Sequence, residues 1–280
     1  MPTAIDEARS KTATPRILLV EDQRIIGLAT AQQIRKQGYD VALAGSGEEA
    51  LELVTPGTQS EKRFDLILMD VDLGKGIDGV EASQRILSRY HLPVVFLTSH
   101  SDRETLGRVR EVSRYGYVLK SSGELQLQLA IETALDLFKA HSRIEERERE
   151  LEAIYESIPV SLLLVTPEMR VSKANRQARL AGGERRAEAS GSLVGAVLRC
   201  VHALEDPEAC GSTPNCESCP VRIALRRTIE SGTAPRSFEA LLPVERNGEI
   251  RRTRCTVNLM PLTPEPNSDV LIAILEQEYE

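Results

Sequence analysis

The chain contains no tryptophan, and aromatic residues make up only 4% of it. That excludes a nucleic-acid surface built on aromatic stacking platforms. Excess positive charge is missing too: 35 Lys and Arg face 42 Asp and Glu, for a formal net charge of -7. Such a balance repels a phosphate backbone unless the basic residues cluster. The clusters present, Arg185-Arg186, Arg226-Arg227 and Arg251-Arg252, are pairs that read as solvated faces, so no nucleic acid is expected as a partner. No apolar run reaches the ~18 residues of a membrane-spanning helix. The first fifteen residues are polar, with Asp6 and Glu7, and lack the apolar centre of a secretory signal. The expectation is a cytoplasmic protein with no membrane partner. Cysteine is scarce, with five residues, and in a reducing compartment these are expected to be free or metal-bound.

What is present reads as two domains, the natural prior for 280 residues. Residues 1–15 read as a disordered tail. From Arg16 to about residue 138, short apolar runs alternate with amphipathic stretches. Strands are expected at 17–20, 41–44, 64–69, 93–97 and 115–119, and helices at 25–37, 48–54, 80–90 and 103–112. That alternation predicts an α/β domain with a parallel sheet covered on both faces, whose site lies at the carboxyl ends of the strands. Those ends carry Glu21-Asp22, Asp70 with Asp72 just beyond, Thr98-Ser99, and Lys120. Glu21, Asp22 and Asp70 would repel one another unless a cation sat among them, and hard oxygen ligands favour Mg²⁺. A carboxylate can attack phosphorus to form an acyl phosphate, with Lys120 and the Thr98 hydroxyl suited to phosphoryl oxygens.

These residues carry a resemblance. Leu18-Leu19-Val20-Glu21-Asp22, Asp65-Leu66-Ile67-Leu68-Met69-Asp70, Phe96-Leu97-Thr98-Ser99 and Tyr117-Val118-Leu119-Lys120 resemble, in order, the motifs of the receiver domain of bacterial response regulators. The resemblance implies a flavodoxin-like fold with a five-stranded parallel sheet, and phosphotransfer from a histidine kinase or phosphotransfer protein. It implies Asp70 as phosphoacceptor. Asp22 and Asp70 would bind Mg²⁺ directly, the Asp72 backbone carbonyl would join them, and Glu21 would act through water. Thr98 and Tyr117 would form the switch pair, with Lys120 as the phosphate contact. One departure stands out: Ser121 follows the lysine where the family usually has proline. Gly74-Lys75-Gly76-Ile77-Asp78-Gly79 fits the GxGxxG pattern of dinucleotide sites, but it follows the third strand, beside Asp70 and Asp72. It reads instead as the turn at the phosphorylation site, with no nucleotide bound.

A long helix starts near Glu124. Leu137, Ile144, Leu151 and Ile158 lie seven apart around a charged run at 145–150. A linker over 139–157 is thus expected to pair as a short coiled coil in a homodimer, the alternative being a solvated single helix. Beyond Pro159 the pattern turns antiparallel, with strands at 161–166, 237–244, 251–262 and 270–276, a hairpin signal at Asn247-Gly248 and a helix over 220–231 stopped by Gly232. Val171 to Ala178, followed by Ser192 to Gly195, resembles a PAS sensor domain, an α+β fold with an antiparallel sheet; the resemblance covers about residues 155–277, and the domain is expected over residues 158–280. Within it Cys200, Cys210, Cys216 and Cys219 gather in twenty residues and end in a C-x-x-C pair. Zn²⁺ or an iron–sulfur cluster are the metal candidates, redox-active or structural thiols the alternatives, and His202 an alternative ligand. Cys255, alone in a strand, is expected in the core. The functional expectation is a two-component phosphorelay protein rather than an enzyme. Neither ATP-binding glycine boxes nor a DNA-binding domain is seen, and His141 lacks the surroundings of a phosphoaccepting histidine. The alternatives are the sensory N-terminal half of a hybrid histidine kinase, or a redox or metal sensor built on the cysteines.

Overall fold

The structure is a computed structural model and describes residues 14–55, 63–99, 103–181, 190–204, 210–211, 213–235, 237–246 and 248–277. Most of the expected N-terminal tail, the Arg185-Arg186 pair and Asn247 lie outside the described residues. The chain divides into two units between Glu146 and Arg147.

In the first unit, the strands β1 (Arg16–Val20), β2 (Asp40–Ala44), β3 (Leu66–Asp70), β4 (Val94–Thr98) and β5 (Tyr117–Leu119) form one sheet in the order β2-β1-β3-β4-β5. Every pairing is parallel. Successive strand side chains point to opposite faces, and the near-continuous apolar runs therefore feed two cores. Leu18, Val20, Ile67, Met69 and Phe96 pack on one face against α2 (Gly47–Val54), α3 (Gly79–Leu87) and α4 (Arg103–Val112), through Ala50, Val80, Ile86 and Val109. Ile17, Leu19, Leu66, Leu68 and Val95 pack on the other against Ala31 and Ile34 of α1 (Arg24–Lys36) and Leu127, Ile131 and Ala134 of α5 (Glu124–Ser157). Each of the Val, Leu, Ile, Met and Phe side chains among these, taken from water, contributes about 1.5–3 kcal/mol. Helix starts are set by side chains: Ser46 Oγ accepts from the Glu49 N–H at 3.1 Å, and Asp78 Oδ1 from the Glu81 N–H at 2.8 Å.

Helix α5 is 34 residues long. Its first turns bury Leu127, Ile131, Ala134 and Leu135. Further along, the heptad positions Leu137, Ile144 and Leu151 are 41%, 55% and 65% exposed, so each unit leaves its part of the seam without internal cover. The fourth heptad position falls outside the helix, because Ile158 precedes Pro159, and a residue before proline is driven out of the helical region. The seam on the helix therefore has three members rather than four.

The second unit holds an antiparallel sheet in the order β7-β6-β10-β9-β8, from β6 (Ser161–Val165), β7 (Val171–Ala174), β8 (Phe238–Arg246), β9 (Glu249–Pro261) and β10 (Val270–Gln277). Between β7 and β8 lie α6 (Arg176–Ala181), α7 (Val194–Val197), a 3₁₀ turn (Val201–Ala203), α8 (Pro214–Glu217) and α9 (Pro220–Ser231). One sheet face carries Leu163, Val165, Leu242, Val257 and Ile272, covered by Val221, Leu225 and Ile229 of α9. Cys255 is buried in this core, as expected. Helix α9 ends where expected, on Gly232 in the left-handed region at φ 67°.

A buried Asn175 closes the start of this unit. Its Oδ1 accepts from the N–H groups of Leu162 at 2.9 Å and Ala178 at 3.0 Å. Its Nδ2 donates to the carbonyls of Tyr155 at 3.2 Å, Ile158 at 3.3 Å and Val160 at 2.8 Å. The Arg179 guanidinium meets both carboxylate oxygens of Glu156, at 3.0 and 2.8 Å. The last turn of α5 is thus fastened to β6 and α6.

Candidate functional site

Strand order reverses direction around β1 and β3, and in such sheets the crevice at their carboxyl ends is where ligands bind. Glu21 and Asp22 follow β1, and Asp70 ends β3. One carboxylate oxygen from each comes within 4.8 Å of the others. Among the described residues these are the only three potential metal ligands gathered so closely. Glu21 and Asp70 are 2% and 1% exposed, whereas Asp22 faces solvent. Lys120, carried past the end of β5, reaches across the sheet. Its Nζ donates to Glu21 Oε2 at 2.6 Å and to Asp70 Oδ2 at 2.7 Å. The Asp72 N–H donates to Asp70 Oδ1 at 3.2 Å, and the Gln23 N–H to Glu21 Oε1 at 3.4 Å.

Burial is the dominant influence on Asp70 and raises its pKa from 3.8 to about 6; the nearby Glu21 charge adds to the rise, and Lys120 and the Asp72 amide oppose it. Burial also works against the Lys120 ammonium, but its hydrogen bonds to Asp70 and Glu21 outweigh this and hold its pKa above the usual value. One ammonium therefore partly neutralises two buried carboxylates, and negative charge remains in excess. That arrangement favours a further cation among the three acids.

Thr98 is fully buried at the end of β4, and its carbonyl accepts from the Lys120 N–H at 2.8 Å. Tyr117 stands opposite Phe96 in the β4–β5 register and is half-buried against the core. Ser121 sits in a turn closed by the Ser122 N–H to the Leu119 carbonyl at 2.8 Å.

The glycines of the GxGxxG stretch are accounted for by this cleft. Gly74 has φ 58°, and a Cβ there would stand 2.7 Å from Asp22 Oδ2. Gly79 is tighter: a Cβ would lie 1.8 Å from the Asp70 carbonyl oxygen, while its own N–H bonds to the Val71 carbonyl at 3.0 Å. Gly79→Ala should therefore push α3 off the end of β3. The expected cost is about 2–4 kcal/mol, from overpacking against backbone, read as a lower midpoint in urea; unchanged stability would refute the contact. Sequence reading had assigned these glycines only to a turn. It also missed Asp78, which caps α3 and pairs with Arg108; the signal available was an Asp three residues before Glu81 at a helix start.

The second unit holds a cavity of about 260 Å³ lined by Cys200, Cys210, Cys216, Cys219 and His202 together with apolar side chains. Burial pushes the Cys200 and Cys210 thiols up. It acts the same way on Cys216, but there the Thr213 hydroxyl, which donates to Sγ at 3.1 Å, and the backbone amides of Gly211 and Thr213 prevail and lower the pKa. His202 Nδ1 lies 3.4 Å from Asn215 Nδ2. Sequence spacing thus identified one set of thiols that the fold brings to a common wall.

A 2-1-3-4-5 parallel sheet with an acidic cluster and a lysine at its carboxyl edge defines a receiver-type domain. Residues 17–132 match the family described as the response regulator receiver domain, and the N-terminal unit is such a domain. The chain is 34% identical over 131 residues to the transcriptional regulatory protein PdtaR of Mycobacterium tuberculosis, covering 46% of this chain and 61% of that protein. It is 42% identical over 88 residues to the transcriptional regulatory protein AfsQ1 of Streptomyces coelicolor, covering 31% of this chain and 36% of that one. The chain thus spans less than two thirds of the length of these curated relatives. A solved N-terminal domain of a response regulator/sensory box/GGDEF three-domain protein from Carboxydothermus hydrogenoformans is 42% identical, covering 45% of this chain and 98% of that one, with a TM-score of 0.42. No helix among the described residues is long and apolar enough to cross a membrane.

Proposed function

We propose that this is a two-component phosphorelay protein of the cytoplasm in which Asp70 accepts a phosphoryl group from a histidine kinase or phosphotransfer protein, and a PAS-like domain senses or relays. The supporting observation is the buried Asp70 carboxylate, held between Lys120 and two further acids at the end of a receiver sheet. An Asp70 oxygen attacks the phosphorus, the P–N bond to the donor imidazole breaks, and the nitrogen keeps the electron pair. The product on the protein is a mixed anhydride. Glu21, Asp22 and Asp70, with the Asp72 backbone carbonyl, fit Mg²⁺ as oxygen donors, and that ion would supply charge neutralisation to the phosphoryl oxygens. Lys120 shifts from its carboxylate partners to a phosphoryl oxygen. The Thr98 hydroxyl donates to another, and Tyr117 repacks in response. No catalytic activity beyond this chemistry is assigned. Labelling with a small acyl phosphate in Mg²⁺ should place one hydroxylamine-labile phosphoryl group on each chain, and chelation of divalent cations should abolish it. Labelling that is indifferent to chelation would overturn the Mg²⁺ assignment.

The exposed seam on α5 supports a homodimer through this helix. Replacing Ile144 and Leu151 together by Glu puts charge into an apolar seam and should convert a dimer to a monomer in sedimentation equilibrium. A wild-type monomer at tens of micromolar would remove the dimer from the proposal. A second reading, a redox or metal sensor in which the receiver is the output, is favoured by the thiol-lined cavity. The sensory half of a hybrid kinase has no comparable support.

A further inference from the structure

We propose that Cys200, Cys210, Cys216 and Cys219 ligate an iron–sulfur cluster in the second unit; this deepens the reading of that unit as a sensing domain and rests on it. Four cysteine thiolates are the complete ligand set of such a cluster. All four line one cavity of about 260 Å³. A closed zinc site asks for something different, since a tetrahedron of Zn–S bonds near 2.3 Å brings its sulfurs to about 3.8 Å from one another. Among the described residues, no three of these thiols and His202 come within 4.8 Å of one another. Thiols spread around a cavity suit a cluster, whose own iron and sulfide atoms stand between its ligands.

The wall is built for sulfur. Cys219 is the N-cap of the twelve-residue helix α9, which sets its sulfur at the positive end of the helix dipole. Backbone amides face three of the other sulfurs: His202 and Ala203 at Cys200, Gly195 at Cys210, Gly211 and Thr213 at Cys216. Such hydrogen bonds stabilise sulfur that carries negative charge and tune a cluster's potential. Two glycines make room for them. A Cβ on Gly195 would stand 2.5 Å from Cys210 Sγ, and one on Gly211, at φ 106°, would collide with the Arg222 guanidinium at 1.8 Å. Arg222 Nη1 in turn donates to the Cys210 carbonyl at 3.2 Å. It brings a positive charge beside what becomes an anionic complex. The rest of the lining includes Leu193, Val194, Leu198 and Leu225, which sets the sulfurs in partly apolar surroundings.

On assembly each thiol gives up one proton as its sulfur bonds iron. Ferrous and ferric ions and free sulfide supply the remainder, so ligation itself changes no oxidation state. The test uses the full chain, freed of metal and kept anaerobic, and offered either those iron ions with sulfide or Zn²⁺ alone. Expected are equal amounts of iron and acid-labile sulfide on each chain, broad visible absorption, and alkylation of the four thiols suppressed relative to the metal-free protein. Cys216→Ser and Cys219→Ser should each retain less than a tenth of the labile sulfide, with circular dichroism of the wild-type form; Cys255→Ser should keep it all. Should a variant misfold, the alkylation pattern of the wild type decides. Stoichiometric zinc that iron and sulfide cannot replace, thiols that stay fully reactive, or a cluster that survives in Cys216→Ser would overturn the proposal. The lifetime of the Asp70 acyl phosphate with and without the cluster judges the sensing reading separately: equal lifetimes would remove coupling while leaving the cluster site intact.

Discussion

Asp70→Asn is expected to abolish phosphoryl labelling and at the same time to stabilise the receiver by about 3 kcal/mol at pH 8 in divalent-free buffer. The loss of labelling follows from chemistry, since an amide offers no anionic oxygen to phosphorus. The gain in stability follows from the site's charge. The folded pKa of Asp70 lies at about 6 against an ordinary 3.8, a rise of about two units worth about 3 kcal/mol. The folded state therefore binds the proton more tightly than the unfolded state. The associated stability is fully present below about pH 4 and is lost as pH rises through about 6. The asparagine carries no charge to bury, so its advantage should vanish below pH 4 and reach its plateau above pH 7. Urea midpoints of both proteins across pH 4–8 test this. A variant less stable than wild type at pH 8 would show that the Lys120 pairing, not burial, dominates. Mg²⁺ should narrow the gap at pH 8, because a cation among Glu21, Asp22 and Asp70 relieves the wild-type repulsion and has less to relieve in the variant.

Asn175→Ala is expected to destabilise the second unit by about 3–4 kcal/mol. One side chain there satisfies two amide donors and three carbonyl acceptors. Removing it strands several of these groups away from water, at about 1–3 kcal/mol each before relaxation. Asn175→Asp is the sharper probe, being of the same shape. Its carboxylate keeps the bonds from Leu162 and Ala178 but faces three carbonyl oxygens with no proton to give. The aspartate variant should be weaker than wild type at neutral pH and recover part of the difference when acid protonates it. The chain lacks tryptophan, so calorimetry is the suitable readout. Equal unfolding temperatures for Asn175→Ala and wild type would mean that this knot does not hold the end of α5 to the sheet. The Asn175 contact with the Tyr155 carbonyl and the Arg179 contact with Glu156 are where the last turn of that helix is fastened within the second unit.

Much of this was legible in the sequence, for a local reason. Continuous apolar runs of strand length such as Leu66 to Met69 fit strands buried on both faces, and alternation with amphipathic helices points to parallel pairing. Strand ends then name Glu21, Asp22, Asp70, Thr98 and Lys120 without further help. Helix α9 was readable to the residue because Pro220 and Gly232 mark its two ends. The heptad was legible as a repeat, but Pro159 cut its fourth member off the helix.

What sequence order could not supply is anything settled by approach across space. That Lys120 divides its bonds between Glu21 and Asp70 depends on β5 and β1 lying on either side of β3 and β4 in one sheet. The demand for glycine at 79 comes from the Asp70 carbonyl nine residues earlier, and the demand at 195 from the Cys210 sulfur. Asn175, within the Val171 to Ala178 stretch, is a buried hydrogen-bonding hub whose partners lie on three other segments. Local propensity and periodicity are written in neighbouring residues, so the sequence by itself determined the elements, the sheet class and the chemical types at the strand ends. Charge pairing, steric exclusion and burial depend on distances between remote residues. Only the tertiary structure decided that Asp70 is held partly protonated near pH 6, and that four cysteines share one wall.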